Sequence, residues 1–342
     1  MTRRKTPVVA VTCGDWNGIG PEVALKTCVD AGIGRLCRPL LVGPMPVFEQ
    51  YARRLGIAVR LAPWEGVPRR GRGNTTRTLD VVEPGGAAGV RIAPGRVSRA
   101  AGQAAYAAIV EGVRLVRAGL ASALVTAPVS KSALHRAGIE TPGQTELLQR
   151  LTSAGPVAMI LASRFMRVGL ATIHLPLRDV ARTLTRPLLR ERIGVMHASL
   201  RQDWGIRAPR IAVLGLNPHA GENGDLGDEE RTVIAPVLAA LRRARMAIDG
   251  PFPADGFFGS TEWKRYDLIV AMYHDQGLIP LKLSGFRSGV NITAGLPFIR
   301  TSPDHGTAFA IAGKGIADPS SMRAAVRCAI LLASTRARTS IR

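Results

Sequence analysis

At 342 residues the chain exceeds what a single hydrophobic core usually organises, which predicts two domains, and a hydrophobic content of 46% excludes long disorder. The formal net charge is +21, from Arg residues that far outnumber Lys and are spread along the whole chain. A nucleic-acid module would cluster its basic residues and interleave aromatics, which are only 5% here, so the charge favours a small anionic partner and no nucleic acid.

The four cysteines, Cys13, Cys28, Cys37 and Cys328, form no C-x-x-C pair, so a reduced, cytoplasmic setting is expected. The basic start MTRRK leads into an apolar run too short for a signal peptide. No run of about 18 apolar residues exists, so no membrane span is predicted.

In chain order, Val8–Thr12 is a β-branched run that reads as a buried parallel strand. The turn GDWNGIGPE follows at 14–22, and Pro21-Glu22 open a helix that continues through Val29. This strand–Gly loop–helix unit offers free N–H groups to an anion, yet it is neither the dinucleotide GxGxxG nor a Walker loop. A tight turn with no ligand explains it equally well. Arg38–Val42 reads as a second strand and Val47–Leu55 as a second helix.

The stretch 63–95 is rich in Gly, Pro and Arg, with strand-like pieces at Thr78–Val82 and Val90–Ile92. It reads as an excursion or edge hairpin, with Arg69-Arg70-Gly71-Arg72 a solvated loop tip. A helix is predicted over Ser98–Ala118, a strand over Ala123–Thr126, and a short helix over Leu147–Leu151 after the turn at Thr141–Glu146. Val157–Ala162 and Val168–His174 pattern as a strand pair, Leu188–Trp204 as a helix, Ile211–Leu216 as a strand and Thr232–Ala244 as a helix. Strands alternating with helices predict a parallel, doubly wound α/β architecture.

Three histidines share one local setting: His174 ends VGLATIH, His219 ends IAVLGLNPH and His274 ends LIVAMYH. Each closes an apolar run and precedes a predicted loop, and ligands of open α/β sheets bind at the carboxyl ends of strands. The three imidazoles are therefore candidates to converge on one divalent metal, with a position left open for substrate. Asp255 and Asp275 are candidate supporting carboxylates or bases. His135 and His197 fall inside helical patterns and read as packing or surface residues. Lys282, Asn291 and Arg300 lie among Gly, Pro and apolar residues and are candidate anion clamps, Arg300 above all because its fork can be bidentate. His305, in Asp304-His305-Gly306, is a candidate cofactor contact.

Together these segments resemble the 4-hydroxythreonine-4-phosphate dehydrogenase family of pyridoxal phosphate biosynthesis. The motifs are GDWNGIGPE at 14–22, ATIHLPLRD at 171–179, GLNPHAGENGDLG at 215–227, AMYHDQGLIPLK at 271–282, GVNITAGLPFIRTS at 289–302 and DHGTAFAIAGKG at 304–315. The resemblance implies two α/β/α domains with a cleft between them, as in isocitrate and isopropylmalate dehydrogenases. It divides the chain into a cofactor-side domain of residues 1–128 plus 285–342 and a metal-binding and dimerisation domain of residues 129–284. It further implies a homodimer with shared active sites and one divalent ion (Zn, Mg or Co) on His174, His219 and His274.

Substrate contacts are implied at Gln144, Thr145, Lys282, Asn291 and Arg300, with Asp255 and Lys282 as catalytic candidates. The loop from His305 to Gly315 resembles the HGxAxxIAGKG loop of isopropylmalate dehydrogenases, which meets the adenosine part of NAD. This makes His305, Gly306, Gly313 and Lys314 the cofactor candidates, for NAD or NADP. Two positions depart from the family pattern. Ala310 replaces a usual acidic residue, and Gln144 replaces a usual histidine. Gln cannot titrate near neutral pH. The expected reaction is oxidation of 4-hydroxythreonine 4-phosphate. The alternatives are a dehydrogenase of threonate- or erythronate-type phosphates, a metal-dependent phosphatase on the same histidines, and a basic nucleic-acid module.

Overall fold

The structure is a computed structural model that describes residues 6–66, 78–85, 90–285 and 289–339. The Arg69–Arg72 cluster lies outside the described residues. In chain order the strands are β1 (Val8–Thr12), β2 (Arg38–Val42), β3 (Arg60–Pro63), β4 (Thr78–Val82), β5 (Ala123–Val125), β6 (Ala158–Ala162), β7 (Arg167–Leu170), β8 (Arg210–Leu214), β9 (Ala247–Phe252), β10 (Leu268–Ala271), β11 (Val290–Ala294) and β12 (Ile299–Pro303). The helices are α1 (Gly20–Cys28), α2 (Ala31–Leu36), α3 (Met45–Leu55), α4 (Arg99–Arg117), α5 (Lys131–Arg136), α6 (Gln144–Thr152), α7 (Leu177–Thr183), α8 (Arg186–Gln202), α9 (Ala235–Arg243), α10 (Ala254–Gly259), α11 (His274–Gly285) and α12 (Ser320–Thr339). No helix among the described residues is long and apolar enough to cross a membrane.

Two units emerge: Met1–Ser153 with Leu296–Ser334, and Ala154–Gly295 with Thr335–Arg342. These bounds differ from the division at 128/129 and 284/285 drawn from the sequence. Packing explains both shifts. Gly102 on α4 lets α5 approach so closely that an added Cβ would overlap the Ala133 carbonyl, which ties residues past 128 to the first unit. β11 pairs antiparallel with β6, Asn291 opposite Leu161, which ties residues past 285 to the second.

In the first unit the strands run β3-β4-β2-β1-β5-β12, every pair parallel. β1 is buried at all five positions, as expected for a parallel strand covered on both faces. β3 and β4 pair in parallel at the edge, and Val90–Ile92 is not a strand, so of the two readings of 63–95, excursion or edge hairpin, the hairpin is not found among the described residues.

The second unit has the order β11-β6-β7-β10-β8-β9 and a mixed sheet. Its β11–β6 and β6–β7 pairs are antiparallel, the latter being the strand pair read from the sequence. β7, β10, β8 and β9 are mutually parallel. Its core joins Leu161, Val168, Leu214 and Ile269 to Leu278 and Leu281 of α11. Phe252 stacks on Phe257 with ring centroids 4.9 Å apart.

Candidate functional site

β7, β8 and β10 are neighbouring parallel strands, so their carboxyl ends open on the same side. The three histidines follow those ends, but none closes its strand. The strands stop at Leu170, Leu214 and Ala271. His174 and His219 lie in turns, whereas His274 is the first residue of α11, which the sequence reading had taken as Gly- and Pro-punctuated loop. Pro280 sits inside that helix.

The rings of His174 and His274 approach to 5.7 Å between centroids, tilted by 39°. Asp275 Oδ1 lies 2.6 Å from His274 Nδ1. A carboxylate can only accept there, so Nδ1 donates, and in the neutral ring Nε2 is the nitrogen that can ligate. His219 lines a separate hollow with Asp255, Asn217 and Gln276, and Tyr273 borders both hollows. Among the described residues no three His, Cys, Asp or Glu side chains of one chain are grouped to hold a metal. The convergence of all three histidines within one chain is therefore not found. The structure brings two of them together.

His174 and His219 have backbone φ of 50° and 51°, the left-handed region. For non-glycine residues this is uncommon and concentrates at functional sites. His219 opens a run of five such residues, with φ of 51°, 81°, 41° and 60° at Ala220, Gly221, Glu222 and Asn223. Each left-handed residue with a side chain costs roughly 1–2 kcal/mol, so something must hold the turn. Buried Glu230 does. Its Oε1 accepts from the Leu216 and Asn217 N–H groups at 2.6 and 2.8 Å. Asn217 Nδ2 donates to Glu229 Oε2 and Glu230 Oε2 at 2.7 and 2.9 Å. Sequence reasoning missed Glu230, because nothing local marks a helical-looking Glu as the acceptor for a backbone N–H 13 residues upstream, at the entry to the turn.

On the same unit, Asn291 projects from β11 and its Oδ1 is buried with no hydrogen-bond partner among the described residues. Lys282 is exposed on α11, two turns beyond His274.

In the first unit Arg300, on β12, is only 2% exposed. Its Nε and Nη2 donate to Thr126 Oγ1 at 3.1 and 2.6 Å, and Nη2 also to Gln144 Oε1 at 3.1 Å. Burial lowers its pKa to about 10, while the Glu146 charge opposes the shift, so it stays cationic at neutral pH. Gln144 and buried Thr145 are the first residues of α6, whose N-cap Gly143 makes no side-chain cap. The amino end of this helix adds positive potential beside Arg300. Thr126 was also missed, although it is the lone hydroxyl at the carboxyl end of an apolar strand.

The loop His305–Gly315 is bound to the turn at 14–22. Ile19 N–H donates to Thr307 O at 3.0 Å, and a side chain on Gly18 would meet that oxygen at 2.8 Å. Lys26 Nζ donates to Glu22 at 2.8 Å and to the carbonyls of Gly315 and Ala317 at 2.9 Å, while Glu22 accepts from Ala317 N–H. His305 Nδ1 donates to Gly306 O, leaving a buried Nε2 with no partner among the described residues. Gly313 and Gly315 are left-handed, with φ of 72° and 75°, and Lys314 between them is exposed.

Comparisons with known proteins show the family of the chain. The family profile described as "Pyridoxal phosphate biosynthetic protein PdxA" matches residues 35–329. The 4-hydroxythreonine-4-phosphate dehydrogenase of Beijerinckia indica subsp. indica is 46% identical over 93% of this chain and 92% of that protein. The D-threonate 4-phosphate dehydrogenase of Cupriavidus necator is 43% identical over 97% of this chain and 98% of that protein. The crystal structure of 4-hydroxythreonine-4-phosphate dehydrogenase from Klebsiella pneumoniae superposes with a TM-score of 0.86 at 41% identity, covering 97% of this chain and 99% of that one. With the matched profile spanning the strand-end histidines, the Arg300 strand and the 305–315 loop, the chain belongs to the PdxA family of pyridoxal phosphate biosynthetic proteins.

Proposed function

We propose that this protein is an NAD(P)-dependent, divalent-metal-dependent dehydrogenase that oxidises 4-hydroxythreonine 4-phosphate to 2-amino-3-oxo-4-phosphooxybutanoate, which decarboxylates to 3-amino-2-oxopropyl phosphate. The observation that carries the reading is near full-length similarity to proteins of that name, 46% identical in one case.

The donor set fits a divalent ion. Two imidazoles stand 5.7 Å apart, one of them oriented by a carboxylate, and a third follows a neighbouring strand. His174 and His274 would hold the ion from one subunit and His219 from another, which accounts for a chain that gathers only two of the three. Leu177 and Leu283, 70% and 85% exposed on segments that adjoin His174 and His274, support a second subunit covering this face. When bound, the ion lowers the pKa of a coordinated hydroxyl and stabilises developing negative charge.

The chain's own residues do the rest. Arg300 and Gln144 bind and orient the anionic end of the substrate, with Lys282 and the partnerless Asn291 Oδ1 as further contacts. Asp255, beside His219, takes part in proton transfer. His305, Gly306, Gly313 and Lys314 seat the adenosine end of the nicotinamide cofactor, and the buried Nε2 of His305 fits a hydroxyl or amine donor there.

A second reading is a D-threonate-type 4-phosphate dehydrogenase, favoured by the 43% identity to such an enzyme and by Gln144. Parallel kcat/KM measurements on the two phosphates, with metal supplied, separate them. The first reading requires the higher value on 4-hydroxythreonine 4-phosphate, and preference for D-threonate 4-phosphate would replace it with the second.

A further inference from the structure

We propose that Gln144 is a positioning residue that sets what the Arg300 site recognises: its neutral carboxamide orients the guanidinium without cancelling its charge, which reserves the site for an oxyanion of the substrate. The inference deepens the reading above and rests on it.

Both ends of the amide are assigned by their neighbours. Arg300 Nη2 can only donate, so the group 3.1 Å away must be the Gln144 carbonyl oxygen. The other end, Nε2, faces the Ala127 carbonyl at 3.4 Å, which can only accept. Thr126 Oγ1 takes the Nε and Nη2 donors, so the guanidinium is held by two partners, Thr126 and Gln144. A carboxylate at 144 would satisfy the first contact and fail the second, placing oxygen against oxygen at Ala127. It would also add a second negative charge to the one Glu146 already sets on Arg300, and so offset the charge that attracts a phosphate or carboxylate. Shape is not the discriminant, since Glu and Gln are nearly isosteric. Charge and donor polarity are.

The test compares Gln144→Glu with Gln144→Ala, using KM and kcat on 4-hydroxythreonine 4-phosphate and calorimetric binding of inorganic phosphate to the same metal-loaded proteins. The Glu variant is expected to raise KM by about tenfold or more with kcat within about threefold, and to weaken phosphate by a similar factor. The Ala variant, which keeps the Arg300 charge, is expected to raise KM by only about threefold. A residue that merely fills space gives the reverse order, because Ala leaves a hole and Glu does not. An Ala variant worse than the Glu variant, a Glu variant indistinguishable from wild type, a loss in kcat alone, or no phosphate binding by wild type overturns the proposal. Phosphate binding that ranks wild type, Ala, Glu in a protein that does not turn over this substrate upholds the role of Gln144 and rejects the substrate.

Discussion

Asp15 and Arg300 are both buried in the first unit, and they respond to pH in different windows. Burial raises the Asp15 carboxyl from 3.8 to about 6, against a hydrogen bond from Asn17 N–H that favours the charge, and its Oδ2 has no partner among the described residues. A carboxyl raised on folding binds its proton more tightly in the native state. Its penalty is therefore full above about pH 6, shrinks as pH falls, and is gone below about pH 4. Asp15→Asn should stabilise the protein by about 2 kcal/mol at pH 8, and the gain should fade toward pH 4.5 in urea titrations. A pH-independent difference would mean that Asp15 is not a buried charge. Arg300 titrates only near 10, so between pH 4 and 8 it contributes a constant cost. Replacing this buried cation with an apolar side chain strands the Thr126 and Gln144 oxygens that accept from it. Arg300→Met is expected to lose about 1–3 kcal/mol in unfolding and at least about 100-fold in kcat/KM. A variant that is fully active would contradict its role as a functional charge.

Two elements carry conformations that their own sequences do not favour. The left-handed turn at 219–223 depends on Glu230, so Glu230→Ala, which strands two backbone N–H groups, should cost about 2–4 kcal/mol and weaken metal binding. Unchanged metal affinity by calorimetry would show that the turn does not position His219. The loop at 305–317 depends on Lys26, so Lys26→Met should raise the KM for NAD severalfold with little change in kcat. An unchanged KM for NAD would separate that loop from cofactor binding. The motifs around these elements were legible because they are long and spelled in unusual residues. Their geometry was not. Apolar periodicity located β7, β8 and β10 but ran each strand on to its histidine, since Thr172, Ile173 and Leu216 are as strand-like as the residues before them. α11 was hidden by Gly277 and Pro280, which read as breakers. Pro280 falls in its second turn, and Gly277 packs so closely on Val168 that a Cβ there would meet the valine at 2.5 Å.

At the scale of the whole molecule, the alternation of strands and helices was enough to read an α/β chain of two parts. The unit bounds were not legible, because they depend on which surfaces α5 and β11 pack against and on no break in composition. The proposed sharing of sites between subunits makes a specific expectation. His219→Ala and His274→Ala homodimers should each be inactive, while an equal mixture, reassembled, should recover about one quarter of wild-type turnover, because half the dimers then hold one intact site of two. No recovery would place all three ligands in one chain.

The proposed activity couples a divalent metal to nicotinamide reduction on a phosphorylated hydroxy amino acid. Its most direct test is NADH formation from 4-hydroxythreonine 4-phosphate and NAD by metal-depleted protein, before and after adding zinc, magnesium or cobalt. The account requires no turnover before addition, turnover with at least one of the ions after it, and neither in the His274→Ala variant. Equal turnover in the depleted wild type, or phosphate release without NADH, would contradict it.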